Sequence, residues 1–187
     1  EGKKEVHEAR KAVVIATGSR VKGLPQIGLE LDKKRIISSD EALLLEKAPR
    51  SIAIVGAGAV GCEFADVLSA FGSAVTLIEV LPAILPLEDA EVSAELARSF
   101  RKRKIEVLTS ARITGVEVSE GGVELAVEAG GQTKKLEVEQ VLVAAGRAPN
   151  VEGIGLEKAG VALNERGFVK VDTATYRTSA PGIYAIG

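Results

Sequence analysis

The segment from Ser51 to Glu79 constrains this chain most. An apolar run, Ser51 to Val55, enters Gly56-Ala57-Gly58-Ala59-Val60-Gly61, a helical stretch follows, and a second apolar run, Ala74 to Ile78, closes on Glu79. Strand, glycine-rich turn, helix, strand and terminal carboxylate in this order form a βαβ unit of the dinucleotide-binding type. Gly56 permits the tight bend, Gly58 lets backbone N–H groups approach a pyrophosphate, and Gly61 lets the helix lie close to the sheet. The helix N-terminus then offers unpaired amides and a partial positive charge to an anion. Gly56, Ala57, Gly58, Ala59, Val60 and Gly61 are therefore the expected cofactor turn. Along the helix, Val60, Phe64, Val67, Leu68 and Phe71 form a stripe expected to face the core, and Gly72 stops it.

Glu79 sets the expected cofactor preference. A carboxylate ending the second strand accepts hydrogen bonds from the ribose hydroxyls of NAD and repels the 2′-phosphate of NADP. At about 4 Å and an effective dielectric near 20 that repulsion is on the order of 4 kcal/mol, which corresponds to discrimination of roughly a hundredfold or more. Val80, Leu81 and Pro82 follow, so no nearby arginine is expected to offer a phosphate site. The competing reading is an ordinary strand-end acid in solvent.

With 187 residues and 46% hydrophobic content the chain can bury a real core in one large or two small domains. A net charge of −2 gives no reason to expect nucleic acid or an anionic membrane as a partner. Arg98, Arg101, Lys102, Arg103 and Lys104 cluster where a helix begun near Asp89 ends, and cations there complement the helix dipole. No apolar run approaches the roughly 18 to 20 residues that span a bilayer, and no signal-peptide pattern opens the chain; a soluble protein is expected. Cys62 is the only cysteine, which excludes an internal disulfide. Its two readings are an activated thiolate near a helix start and, favoured, a packed inert thiol. No metal site is expected. The absence of methionine and an ending inside an apolar pattern, Ile183 to Gly187, lead us to expect a fragment.

Three segments, Ala12 to Gly18, Val141 to Gly146 and Ile183 to Gly187, each read as a buried strand closing on glycine, with the strands near Val14 and Ile183 expected in one sheet. Asp89 is placed to cap a helix whose Val92, Leu96 and Phe100 face the core. From Arg112 to Val138 the alternation of Val116, Val118, Val123, Leu125, Val127, Leu136 and Val138, broken at two Gly-Gly pairs, predicts a three-stranded antiparallel meander with one buried face. The expected fold is α/β: a Rossmann-like domain with a parallel sheet, helices and this meander.

Further motifs span essentially the whole chain: Ala16-Thr17-Gly18-Ser19-Arg20, Ser38 to Leu43, the glycine turn with Glu63, Ile84-Leu85-Pro86, Gly146-Arg147-Ala148-Pro149-Asn150, Asn164 to Gly167, and Pro181 to Gly187. On these residues the sequence resembles the flavoprotein disulfide reductases, and among them most closely the dihydrolipoamide dehydrogenases. The resemblance implies that residues 1–47 belong to an FAD-binding domain, 48–150 to an inserted NAD-binding domain, and 151–187 to the returning FAD-binding domain. It implies Thr17, Gly18 and Ser19 beside FAD, Ile113 and Gly146 beside NAD, and Glu63 in a supporting catalytic role near the flavin. An exposed helix acid is the competing reading of Glu63.

The same resemblance implies a homodimeric parent of the bacterial cytoplasm or mitochondrial matrix. It would pass electrons from dihydrolipoamide, carried on the acyltransferase subunit of 2-oxoacid dehydrogenase complexes, through a cysteine pair and FAD to NAD⁺. The family's first FAD glycine motif, its cysteine pair, and its C-terminal His and Glu have no counterpart in this sequence. The chain alone is therefore expected to bind NAD(H) without catalysing the reaction. Mercuric reductase, soluble transhydrogenase and glutathione reductase share these motifs and are rival readings. A non-catalytic NADH-sensing module is the rival from another class.

Overall fold

The computed structural model describes residues 5–187. In chain order the elements are β1 (Val13–Ile15), β2 (Ser19–Val21), β3 (Ile36–Ile37), α1 (Ser39–Ala42), β4 (Ser51–Val55), α2 (Ala59–Ala70) and β5 (Ala74–Ile78). They continue with α3 (Ala90–Lys102), β6 (Glu106–Leu108), β7 (Arg112–Ser119), β8 (Gly122–Ala129), β9 (Gln132–Val138), β10 (Gln140–Val143), β11 (Arg147–Pro149) and β12 (Ile183–Ala185). Two compact units emerge: the described residues through Arg20 with Arg147–Gly187, and Val21–Gly146. Residues 21–47 fall in the second unit rather than with residues 5–20, and Ile36 and Ile37 pair there with Val141 and Leu142.

The second unit is built on a parallel sheet ordered β3-β10-β4-β5-β6. Successive residues of a strand point to opposite faces, and both faces are covered. Ile52, Ile54, Leu77 and Leu142 pack with Cys62, Ala65, Leu68 and Phe100 of the helices. Ala53, Val55, Ile78, Val141 and Val143 pack instead with Ile113, Val123, Leu125 and Val127 of the meander. That two-sided burial is why these strands read as continuous apolar runs. The meander is antiparallel as expected, β7-β8-β9.

The core face of α2 differs from the expected stripe. Gly61, Cys62, Ala65 and Leu68 are buried, whereas Val60 is 42%, Val67 46% and Phe71 75% exposed. The helix lies so close to the turn that a Cβ on Gly61 would stand 1.9 Å from the Gly56 carbonyl oxygen; small side chains therefore occupy the inward positions and the larger ones flank them. In α3, Asp89 caps the helix by accepting from the Glu91 amide at 2.9 Å. Phe100 is buried and Leu96 half-buried, but Val92 is exposed, and Ser93 takes the inward position, donating to the Ile84 carbonyl at 2.6 Å. Val118 is likewise exposed, near the far end of β7.

In the first unit β1 and β12 pair in parallel, Val13 with Ile183 and Ile15 with Ala185. Val13 and Val14 are about half exposed rather than buried (47% and 54%), because, of the residues in β1 and β12, Ile15 and Ile183 are the ones that pack on the small cluster of Leu156, Val161 and Ala180. Among the described residues no helix is long and apolar enough to cross a membrane.

Candidate functional site

The turn after β4 is held by backbone and one carboxylate. Gly56 has φ +101°, and a Cβ there would lie 2.7 Å from the Ala144 carbonyl oxygen, so the turn needs glycine both for its left-handed conformation and for its approach to the end of β10. Gly58 caps α2 without any side-chain bond, and a Cβ on it would meet nothing within 4 Å. The first turn of α2 thus opens onto free space, and the Ala59 and Val60 amides have no hydrogen-bond partner among the described residues.

Glu79 is 7% exposed, which rules out the solvated-acid reading. Its Oε2 accepts from the Ala57 amide at 2.8 Å and its Oε1 from the Leu81 amide at 2.9 Å. The carboxylate therefore ties the end of β5 to the glycine turn.

Turn and carboxylate share a cleft of about 770 Å³ within the second unit. Its lining brings together Gly56, Gly58, Ala59, Val60, Glu79, Ile113 and Gly146. Ala57 and Gly61 are not in the lining; they hold the turn from behind, Ala57 through Glu79 and through accepting from the Leu85 amide at 2.7 Å. Glu63 is exposed outside this lining and has no hydrogen-bond partner among the described residues. Leu24 and Ile27, around the short helix at Pro25, also line the cleft, and no local pattern marks them in the sequence. Arg112 lines it as well, an arginine that the residues directly following Glu79 in sequence do not supply. The Ala111 amide donates to the Glu79 backbone carbonyl at 2.9 Å, so the start of β7 is stitched beside the end of β5.

The first unit contains Thr17, Gly18 and Ser19. Gly18 has φ +71°, and its carbonyl accepts from the Asn150 amide at 3.0 Å. Thr17 donates its hydroxyl to the Asn150 carbonyl at 2.7 Å, and Arg147 donates to the Ser19 hydroxyl and carbonyl, both at 2.7 Å. Two motifs far apart in sequence are thereby locked together. Arg20 grips Glu152 with two bonds, 2.8 and 3.0 Å, and this holds the Glu152 carboxyl down at about 2. A depressed carboxylate stabilises above its ordinary value and loses that contribution as pH falls through its folded value. Arg20→Ala is expected to return the Glu152 titration, followed by carboxyl NMR, to the usual glutamate range; an unmoved titration would show that the pair does not persist in solution.

Burial raises the Cys62 thiol to about 11, and its S–H donates to the Ala57 carbonyl at 3.4 Å. The inert reading holds. Cys62 is expected to resist a disulfide-exchange reagent at pH 8 until denaturant opens the core. Because the raised thiol stabilises only while protonated, stability should decline as pH climbs from about 8.5 towards about 11. Among the described residues no cluster of His, Cys, Asp or Glu could hold a metal.

The family model "Pyridine nucleotide-disulphide oxidoreductase" matches residues 1–187. A dihydrolipoyl dehydrogenase of Chlorobaculum tepidum is 48% identical over 179 residues, 95% of this chain and 37% of that protein. The crystal structure of LpdA from Mycobacterium tuberculosis superposes with a TM-score of 0.84 at 32% identity, covering 94% of this chain and 37% of the other. The HOCl-induced flavoprotein disulfide reductase RclA from Escherichia coli gives 0.81 at 30% identity, covering 94% and 39%. The chain thus spans little more than a third of the length of the relatives it matches.

Proposed function

The chain belongs to the pyridine nucleotide-disulphide oxidoreductase family, and on that premise we propose that its second compact unit binds NAD(H) in the cleft joining the glycine turn to Glu79. The observation that carries the reading is Gly58: it opens the first turn of α2 onto the cleft at a point where any Cβ would project into free space. The amides there, with the helix dipole behind them, suit a pyrophosphate. Glu79 keeps acceptor capacity on both oxygens after bonding Ala57 and Leu81, so ribose hydroxyls can donate to it. Ile113 and Gly146 border the bound dinucleotide in this reading. Bound NAD⁺ supplies a hydride acceptor; the chain's own part is to bind and orient it.

The first unit is, in the same proposal, part of an FAD-binding domain in which the loop Thr17-Gly18-Ser19 meets FAD, with Glu63 of α2 supporting the flavin. The whole enzyme would be an NAD-dependent dihydrolipoyl dehydrogenase, a homodimer oxidising dihydrolipoamide on an acyltransferase subunit. Identity of 48% to a dihydrolipoyl dehydrogenase against 30% to RclA favours this substrate over other disulfides. Alone, the chain should bind without turning over, since a single buried cysteine cannot form a redox pair.

A nitrogen–proton correlation spectrum tests the binding site. Added NADH is expected to shift the amides of Gly58, Ala59, Glu79, Ile113 and Gly146 while leaving the far hairpin at Gly121 and Gly122 unmoved. Shifts confined to residues outside the cleft would overturn the assignment.

A further inference from the structure

Among the residues lining the cleft only Glu79 and Arg112 carry charge. Arg112 is exposed and its side chain has no hydrogen-bond or ion-pair partner among the described residues, although Glu128 stands opposite it across the strand pair. Its backbone is fixed next to Glu79 by the bond from Ala111. Past Glu79 a smaller recess of about 290 Å³ opens; it shares Val80, Ala111 and Arg112 with the main cleft but not Glu79 itself.

We propose that Arg112 is a second determinant of cofactor choice, whose guanidinium receives a 2′-phosphate on the ribose that Glu79 holds, so that the cleft accepts NADP(H) more weakly than NAD(H) instead of excluding it. The inference rests on the reading that the ribose lies at Glu79. In that reading a 2′-phosphate on the ribose at Glu79 would sit in the part of the cleft that Val80, Ala111 and Arg112 also line. The carboxylate is tied by two amides and cannot swing away from a phosphate, so relief of the repulsion has to come from a cation nearby. A guanidinium fits that task, since its planar fork pairs two donors with two phosphate oxygens. Glu128, which also lines the recess, limits the gain and keeps the preference with NAD(H).

The test is titration of the wild-type chain, Arg112→Gln and Arg112→Lys with NADH and with NADPH, unfolding midpoints being recorded for each. NADPH should bind the wild type measurably. Arg112→Gln should weaken NADPH by about tenfold, the scale of one lost charge-assisted pair, and leave NADH within about twofold; Arg112→Lys should recover part of the loss. Equal weakening of both nucleotides, no change in either, or a wild type that binds NADH but no NADPH at millimolar concentration would overturn the assignment of Arg112 and leave the NAD reading standing. A folded wild type that binds neither nucleotide would overturn both.

Discussion

Gly61→Ala is expected to destabilise the chain and abolish NADH binding, although alanine is the better helix former. Helix propensity favours the substitution by about 1 kcal/mol. Against this, the new Cβ would stand 1.9 Å from the Gly56 carbonyl oxygen, a backbone atom that no rotamer change can move aside. Overpacking of this kind costs about 3 kcal/mol or more, so a net loss of roughly 2 kcal/mol or more follows, and the displaced turn no longer presents its amides. Gly58→Ala is the control. Its backbone, at φ −72° and ψ −174°, is one alanine adopts, and its Cβ would meet nothing in the protein. Stability should change by no more than about 1 kcal/mol, the cost of an alanine at the N-cap. Binding should nevertheless fall by a hundredfold or more, because the methyl group takes the space intended for phosphate. Denaturant unfolding and NADH titration of the two variants separate these effects. A Gly58→Ala chain that bound NADH like the wild type would contradict the phosphate assignment.

Glu79→Gln is expected to lower both stability and selectivity. The carboxylate accepts from two amides at once, those of Ala57 and Leu81, and Ala57 is fully buried. Glutamine offers one acceptor oxygen and turns a donor towards the other amide. One N–H is left unsatisfied, at about 1 to 3 kcal/mol. Loss of the negative charge also removes most of a repulsion on the order of 4 kcal/mol between carboxylate and 2′-phosphate, so the NADH to NADPH affinity ratio should fall by roughly a hundredfold or more. The same bonds explain why Glu79→Arg is a poor test of selectivity: it strips the turn of its tie before any phosphate arrives. A ratio unchanged in a folded Glu79→Gln chain would remove Glu79 from cofactor choice.

Much of the site was legible because its signals are local. The order of Val55, Gly56, Gly58 and Gly61 fixes a turn whose geometry depends on adjacent residues, Asp89 caps the helix it precedes, and alternation from Arg112 to Val138 carries the meander. The inward face of α2 departs from the periodicity because periodicity favours the larger apolar side chains, and Val60, Val67 and Phe71 are larger than Cys62 and Ala65. What decides between the two faces is the close approach at Gly61, a tertiary fact. β1 is less buried than its apolar run suggests for a similar reason: such a run records what could be covered, and Val13 and Val14 lie in a two-stranded sheet. Arg112, Leu24 and Ile27 reach the cleft through strand pairing and loop packing, which leave no mark on neighbouring sequence. The bonds from Thr17, Ser19 and Arg20 to Asn150, Arg147 and Glu152 were equally invisible as pairs, although several of these residues stood in recognised motifs.

The central claim is that the cleft at Gly58 and Glu79 binds NAD(H). Titration of the purified chain with NADH, followed by nicotinamide fluorescence, tests it most directly, since the chain has no tryptophan to interfere. NADH should bind saturably and more tightly than NADPH by at least about tenfold, and Gly58→Ala should lose that binding. No saturable NADH binding, in a sample whose circular dichroism and cooperative unfolding establish the native fold, would contradict it.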